Sequence, residues 1–439
     1  MKVYMQSLGC AKNQVDSEMI LGTLKDNLIL VKEPSEAELI IINTCAFIEP
    51  ARKEAIETIL EMIEYKAKNN AKLIVCGCLP QRYKDEIENL LPEVDRFVSI
   101  SEYHDLANII NNVISSDYKY SLDYSPLNRI YSTPNYMRYV KISEGCLNRC
   151  AFCAIPLIRG NLKSRTIDSI VTEVKKEVES GVYEINLISQ DTTKYGWDLY
   201  GKLALVDLLK ALVEIEGDFK IRLLYLYPEI VTDELIEFIK TNDKVMKYFD
   251  IPIQHSEDKV LKAMLRRGDK ELIVNLLKKI KKEIPNATLR TTLMVGFPYE
   301  TMEDVNNMIK FIRDIKFDHL GAFAFSLEEG TPACDYPNVI KENEKQKRYD
   351  KLMKAQSEIA LELKCNKIGT VIKDAFIIGY DEEAFMYIAR SEEFAPDEVD
   401  GCIYVAARYE LSLGQRVNVK ILDADHYTLT GEQVEWNWM

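Results

Sequence analysis

Long apolar runs are missing from this 439-residue chain. None approaches the roughly 20 residues that a membrane-spanning helix requires. A secretory leader is not expected either, because the N-terminal apolar stretch is short and broken by Lys12, Asn13 and Asp16. These gaps predict a cytoplasmic protein with no membrane partner. Positive charge is in deficit: 56 Lys and Arg against 70 Asp and Glu leave a formal net charge of −14. That argues against a general nucleic-acid coat, which needs local positive charge, and permits a basic protein partner. Ten cysteines without a leader argue for metal or cluster ligation rather than disulfides. The 47% hydrophobic content is enough for full cores, and the length suggests roughly two to four domains.

Three of the cysteines stand together in KISEGCLNRCAFCAIPLIRGNLKSR, residues 141–165, as Cys146, Cys150 and Cys153 in a C-x3-C-x2-C run. Three thiolates on one short loop can hold three corners of a cubane iron–sulfur cluster and leave the fourth iron open. Structural zinc is the alternative, but it needs four protein ligands. The nearest other cysteines in sequence are Cys78 and Cys334, and the nearest histidines His104 and His255. With an aromatic, Phe152, before its third cysteine, the motif resembles that of the radical S-adenosylmethionine (SAM) enzymes. The resemblance implies that the open iron chelates SAM and that an electron from the cluster cleaves the sulfonium to a 5′-deoxyadenosyl radical.

Residues 1–116 read as an open parallel α/β sheet domain. Apolar strands end at Cys10, Cys45 and Cys78, and Val15, Met19, Ile20 and Leu24 recur at helical spacing between the first two. Strand C-terminal ends line one edge of such a sheet, where ligands bind. Three thiolates there predict a second cluster, whereas Cys76 falls on the other side of its strand and is expected to pack. Residues 117–133 are polar and tyrosine-rich and read as a linker. Residues 134–363 alternate strands and helices, with strands at 138–144, 184–190, 220–226, 247–254, 287–295 and 319–326. This pattern predicts a partial (β/α)6 barrel with its reactive groups at the strand C-terminal ends. One helix is predicted over Asp168–Ser180 with an acidic N-cap and a closing Gly181. Candidate SAM contacts are Phe152, Ser189, Gln190, Gln254, Arg290 and Thr292. Arg159 and Arg165 are candidates for a carboxylate, and His255 and the Gly296-Phe297-Pro298 turn complete the strand-end set. A basic helical stretch, 341–367, leads to residues 366–439, which read as a small all-β barrel. Cys334, Cys365 and Cys402 are expected to pack.

SLGCAKNQVDSE at 7–18, NTCAFI at 43–48 and GCLPQ at 77–81 resemble the N-terminal domain of the methylthiotransferases within the radical SAM group. That family implies an auxiliary 4Fe-4S cluster on Cys10, Cys45 and Cys78, beside the 4Fe-4S cluster on Cys146, Cys150 and Cys153. SAM then serves as both methyl donor and radical source, and an electron donor such as flavodoxin or ferredoxin is needed. The last domain resembles a TRAM domain, an OB-like module that grips RNA in tRNA-modifying relatives. Here it carries six Lys or Arg against fourteen Asp or Glu, a net of −8, so phosphate would repel it. RSEEFAPDEVDG at 390–401, otherwise a solvated loop, resembles the branch that modifies the twelfth protein of the small ribosomal subunit. The implied reaction is methylthiolation of an aspartate β-carbon on that basic protein, free or in the assembled subunit. Its C–H bond is unactivated, so a cofactor-borne radical is the reasonable route. Two alternatives stay open: a tRNA methylthiotransferase, which a basic barrel would favour, and a non-enzymatic iron–sulfur redox protein, which has little use for three domains.

Overall fold

The computed structural model describes residues 1–114, 124–396 and 399–435. Five parallel strands form the N-terminal sheet, in the order Ile29–Leu30, Lys2–Ser7, Leu39–Thr44, Lys72–Gly77, Arg96–Ser99. Leu39–Thr44 is buried along its whole length. Ile40 and Ile42 enter one apolar cluster, Leu39 and Ile41 another on the opposite face, as the two-residue period of a strand covered on both sides requires. The winding reverses between Lys2–Ser7 and Leu39–Thr44. Their C-terminal ends therefore open a crevice at the switch point, and Cys10 and Cys45 follow those two strands.

Helix Ala11–Leu24 is buried on its polar side as well as its apolar one. Lys12, Asn13, Asp16, Ser17 and Glu18 are all sequestered, because the helix is wedged between its own sheet and the central domain. Part of the expected linker, residues 117–123, lies outside the described residues. Residues 124–133 are partly packed: Asn128, Arg129 and Thr133 are buried, while Leu127 and Ser132 are exposed. Arg129 is buried, pairs with Glu18, and reaches Glu173 at 2.9 Å.

The central domain carries six strands in two parallel ladders. One runs Lys220–Leu223, Glu184–Ile188, Met137–Lys141, and the other Tyr248–Asp250, Thr288–Val295, His319–Ala324. A parallel bridge between Ile221 and Val245 joins them, giving an incomplete barrel. Helices outside it bury one shared core that includes Ile170, Leu209, Ile236, Leu277 and Ile312. Helix Ile167–Glu179 is capped by Thr166, whose hydroxyl accepts from the Ser169 N–H, and Asp168 lies in the first turn instead of capping. A hydroxyl at that position satisfies a donor the helix leaves open.

After helix Glu342–Cys365, the chain closes a five-stranded barrel in the order Val371–Asp381, Met386–Arg390, Cys402–Ala406, Thr428–Val434, Arg416–Ala424. The 390–401 segment is not the solvated loop that its composition suggests. Arg390, Ser391, Phe394, Ala395 and Asp400 are buried, and Asp397 and Glu398 lie outside the described residues. Arg390 pairs with Glu184, which also holds Arg222 at 2.9 Å. Asp400 takes Arg290 at 3.1 Å and the Tyr248 hydroxyl at 2.6 Å. The segment is thus the dock between the small barrel and the central one. Cys76 packs in the core as expected, but Cys365 is exposed, and Cys334 and Cys402 are half-buried.

Candidate active site

Cys10 caps helix Ala11–Leu24, Cys45 follows strand Leu39–Thr44, and Cys78 opens helix Cys78–Leu90. Asn13 ties the three loops together. Its amide donates to the Leu8 carbonyl at 3.0 Å and the Thr44 carbonyl at 2.8 Å, and its oxygen accepts from the Cys78 thiol at 3.5 Å. Two glycines make the approach possible. A Cβ on Gly9 (φ +86°) would sit 2.7 Å from the Cys45 Cβ, and one on Gly77 (φ +101°) 2.3 Å from the Asn43 side-chain oxygen.

Cys146, Cys150 and Cys153 lie on the loop after strand Met137–Lys141 and the short Ser143–Glu144 strand. The Cys146 N–H donates to the Gly160 carbonyl at 3.1 Å, and the Ala151 N–H to the Met264 carbonyl at 2.9 Å. The Tyr227 hydroxyl lies 2.7 Å from the Cys150 sulfur, and Arg266 stacks 3.7 Å over the Tyr227 ring while pairing with Glu229 at 3.2 Å.

All six cysteines line one cavity of about 340 Å³. Phe47, Phe152, Ile155, Ile158 and Phe323 give it apolar walls. Burial pushes the Cys45 thiol up to about 12 and the Cys146 thiol to about 11, and raises Cys78 and Cys153 as well. Thiols so placed give up their protons to a metal rather than to water. Among the described residues, no group of three His, Cys, Asp or Glu is placed to hold a single metal ion.

A buried charge network joins the two cysteine walls. Arg159, at the end of the short helix Ile155–Arg159 that follows Cys153, pairs with Asp16 at 2.6 Å and Glu144 at 3.2 Å, and its guanidinium reaches the Cys78 sulfur at 3.4 Å. Lys141 joins Asp16 at 2.6 Å and Glu144 at 2.8 Å. Burial alone would raise Glu144, but the Lys141 and Arg159 charges outweigh it and hold the carboxyl at about 2.

Of the expected SAM contacts, Phe152, Gln190, Gln254, Arg290 and Thr292 line the cavity. Ser189 does not: it is wholly buried, its hydroxyl meets Thr192, and it offers only its carbonyl toward Lys12. The buried side-chain oxygens of Gln190 and Gln254 accept no hydrogen bond among the described residues. Such atoms suit a ligand that brings N–H donors. Arg290 is held by Asp250 at 3.0 Å and by Asp400. Arg165 is turned to Glu173 at 2.5 Å, His255 is buried against Glu300 at 3.1 Å, and Phe297 packs among Phe325 and Tyr336. These three stand apart from the cavity lining. Lys12, Tyr225, Tyr227, Asp250 and Arg266 line it without having been expected. Tyr225 and Tyr227 follow strand Lys220–Leu223, the same strand-end position that yielded the other contacts, and that position was the available signal.

Residues 2–99 match the uncharacterized protein family UPF0004, residues 140–312 the radical SAM superfamily, and residues 368–434 the TRAM domain. Among solved structures, the radical S-adenosylmethionine methyltransferase TsrM from Kitasatospora setae aligns with a TM-score of 0.57 at 12% identity, covering 85% of this chain and 80% of that one. The cobalamin-dependent radical enzyme OxsB aligns at 0.51 and 13%, covering 82% and 56%. At such identity these likenesses speak to the fold alone. Fold and site together define a three-domain radical SAM protein with a second cysteine trio. The ribosomal protein uS12 methylthiotransferase RimO of Acetivibrio thermocellus is 45% identical over 99% of this chain and 98% of its own length. Its namesake in Clostridioides difficile is 44% identical over 98% of each. The chain belongs to the RimO family of radical SAM methylthiotransferases.

Proposed function

We propose that this protein adds a methylthio group to the β-carbon of an aspartate in ribosomal protein uS12, with SAM as both methyl donor and radical source. The observation that carries the reading is the convergence of two cysteine trios on one cavity. Cys146, Cys150 and Cys153 hold one 4Fe-4S cluster, and Cys10, Cys45 and Cys78 the other. When bound, these clusters supply the electron that cleaves SAM and an open iron where sulfur can reside.

The chain's own groups supply position and dryness. Phe47, Ile155, Ile158 and Phe323 keep water from a reactive carbon centre. Gln190 and Gln254 offer acceptors to SAM, with Phe152, Arg290 and Thr292 completing its pocket. Arg159 braces the auxiliary wall against the barrel through Asp16 and Glu144. The acidic C-terminal barrel suits a basic ribosomal protein, free or within the subunit, and not tRNA. Domain limits at 1–116, 134–363 and 366–439, a cytoplasmic setting, and a flavodoxin or ferredoxin as electron donor complete the proposal. No helix among the described residues is long and apolar enough to cross a membrane.

Purified anaerobic protein with both clusters rebuilt should methylthiolate uS12 or its loop peptide, read by mass spectrometry. Cys150→Ala should abolish 5′-deoxyadenosine formation. Cys45→Ala should stop thiolation while SAM cleavage continues. Thiolation of tRNA instead of the protein would overturn the assignment.

A further inference from the structure

We propose that Lys12 recognises the side-chain carboxylate of the target residue and so restricts the reaction to aspartate. This rests on the methylthiotransferase reading above. Among the described residues, four cations line the cavity: Lys12, Arg159, Arg266 and Arg290. Three are already matched by carboxylates: Arg159 by Asp16 and Glu144, Arg266 by Glu229, and Arg290 by Asp250 and Asp400. Lys12 has no carboxylate at ion-pair distance among the described residues. Its ammonium meets the Ser189 carbonyl at 3.3 Å and lies 3.6 Å over the Tyr225 ring, although the residue is only 8% exposed. Tyr225, Cys10 and Glu144 also act on it, but the Glu144 carboxylate is held by Lys141, Arg159 and Gln190. Burying an ammonium is costly, and neutral partners offset the cost only in part. An anion entering the cavity completes the match.

The position is held from both sides. Lys12 is carried on the helix that Cys10 caps, so it belongs to the auxiliary wall. Tyr225 comes from the central domain in the left-handed region, at φ +62°, where a tyrosine persists only if its surroundings hold it. Its N–H is fixed by Asp250 at 2.9 Å. The ammonium therefore stands at the seam between the two domains that carry the trios. In an aspartate side chain the β-carbon is bonded directly to the carboxylate carbon. Fixing the carboxylate thus places the reacting carbon one bond away. Asparagine offers no charge to the ammonium, and glutamate shifts the carbon by a methylene.

Two other anions could claim Lys12, the carboxylate of SAM and the thiolate of Cys10, and the test separates them. Holoenzyme with SAM is titrated with fluorescent uS12 loop peptides bearing aspartate or asparagine at the target, for wild type, Lys12→Met and Lys12→Arg. SAM affinity, iron per chain and thiolation of the aspartate peptide are measured alongside. Wild type should prefer the aspartate peptide by roughly tenfold or more, the scale of a charge-assisted hydrogen bond. Lys12→Met should bind both peptides alike, and Lys12→Arg should recover part of the preference. An undiminished preference in Lys12→Met overturns the proposal. So does weakened SAM binding with the preference intact, or loss of about half the iron, which would tie Lys12 to Cys10. Wild type that neither binds nor thiolates the aspartate peptide sinks the methylthiotransferase reading itself.

Discussion

Cys45 and Cys150 show how single neighbours set what a thiol can do here. Gly9 must lie against Cys45, and its φ of +86° forbids a side chain at no cost. Gly9→Ala should cost about 1–3 kcal/mol, read as a lower melting temperature, and should depress thiolation more than 5′-deoxyadenosine formation. Equal loss of both activities would place the damage elsewhere. Tyr227 stands 2.7 Å from the Cys150 sulfur, and hydrogen bonds to cluster sulfurs raise reduction potential. Tyr227→Phe should therefore lower the midpoint potential of the SAM-cleaving cluster in an anaerobic redox titration followed by electron paramagnetic resonance; an unmoved potential would contradict this. The cysteines were legible because three equivalent strand ends and one tight motif carry them. Tyr227, Arg266 and Lys12 were not, since their meaning comes from neighbours on other elements and sequence spacing does not encode those.

The elements that most changed meaning are helix Ala11–Leu24 and the 390–401 segment. The helix shows itself in sequence only by its apolar spacing, and 390–401 has a solvated loop as its alternative reading; both bury polar residues against the central domain. A one-dimensional hydropathy pattern cannot tell a solvated charge from one paired across a domain seam. Glu184 shows what such pairing does. Burial would raise it, but Arg390 and Arg222 outweigh that and hold it at about 2, against an ordinary 4.5. A carboxyl lowered on folding contributes stability above its unfolded value and loses it as pH falls through the folded one. The contribution, roughly 3 kcal/mol, should be intact above about pH 4.5 and vanish toward pH 2, seen as acid-induced loss of the melting transition. Glu184→Gln leaves two buried guanidiniums with too little counter-charge. It should destabilise the dock by about 3–5 kcal/mol, making the C-terminal barrel sensitive to limited proteolysis at neutral pH. A variant as resistant as wild type would show that the pairing does not hold the barrel.

At the scale of the whole molecule, two domains contribute a thiol trio each and the third contributes an acidic surface. Net charge is −14, so a basic protein partner should be drawn to it over distances that salt screens. Association with uS12 should weaken steeply toward 1 M salt, where the Debye length is about 3 Å; salt-independent binding would mean that the acidic barrel is not the attraction. The order of the domains and the incomplete barrel could be read from periodicity and strand spacing. Spacing does not encode the shared cavity, which only the resemblance implied; it lies where the N-terminal sheet meets the central domain, bridged by the Arg159–Asp16 pair. The most direct test of the account is iron per chain in anaerobic protein. Wild type should bind about eight irons, and replacing either cysteine trio with alanine should leave about four, as two independent cubanes require. A wild type that binds only about four, or one trio whose removal changes nothing, would contradict it.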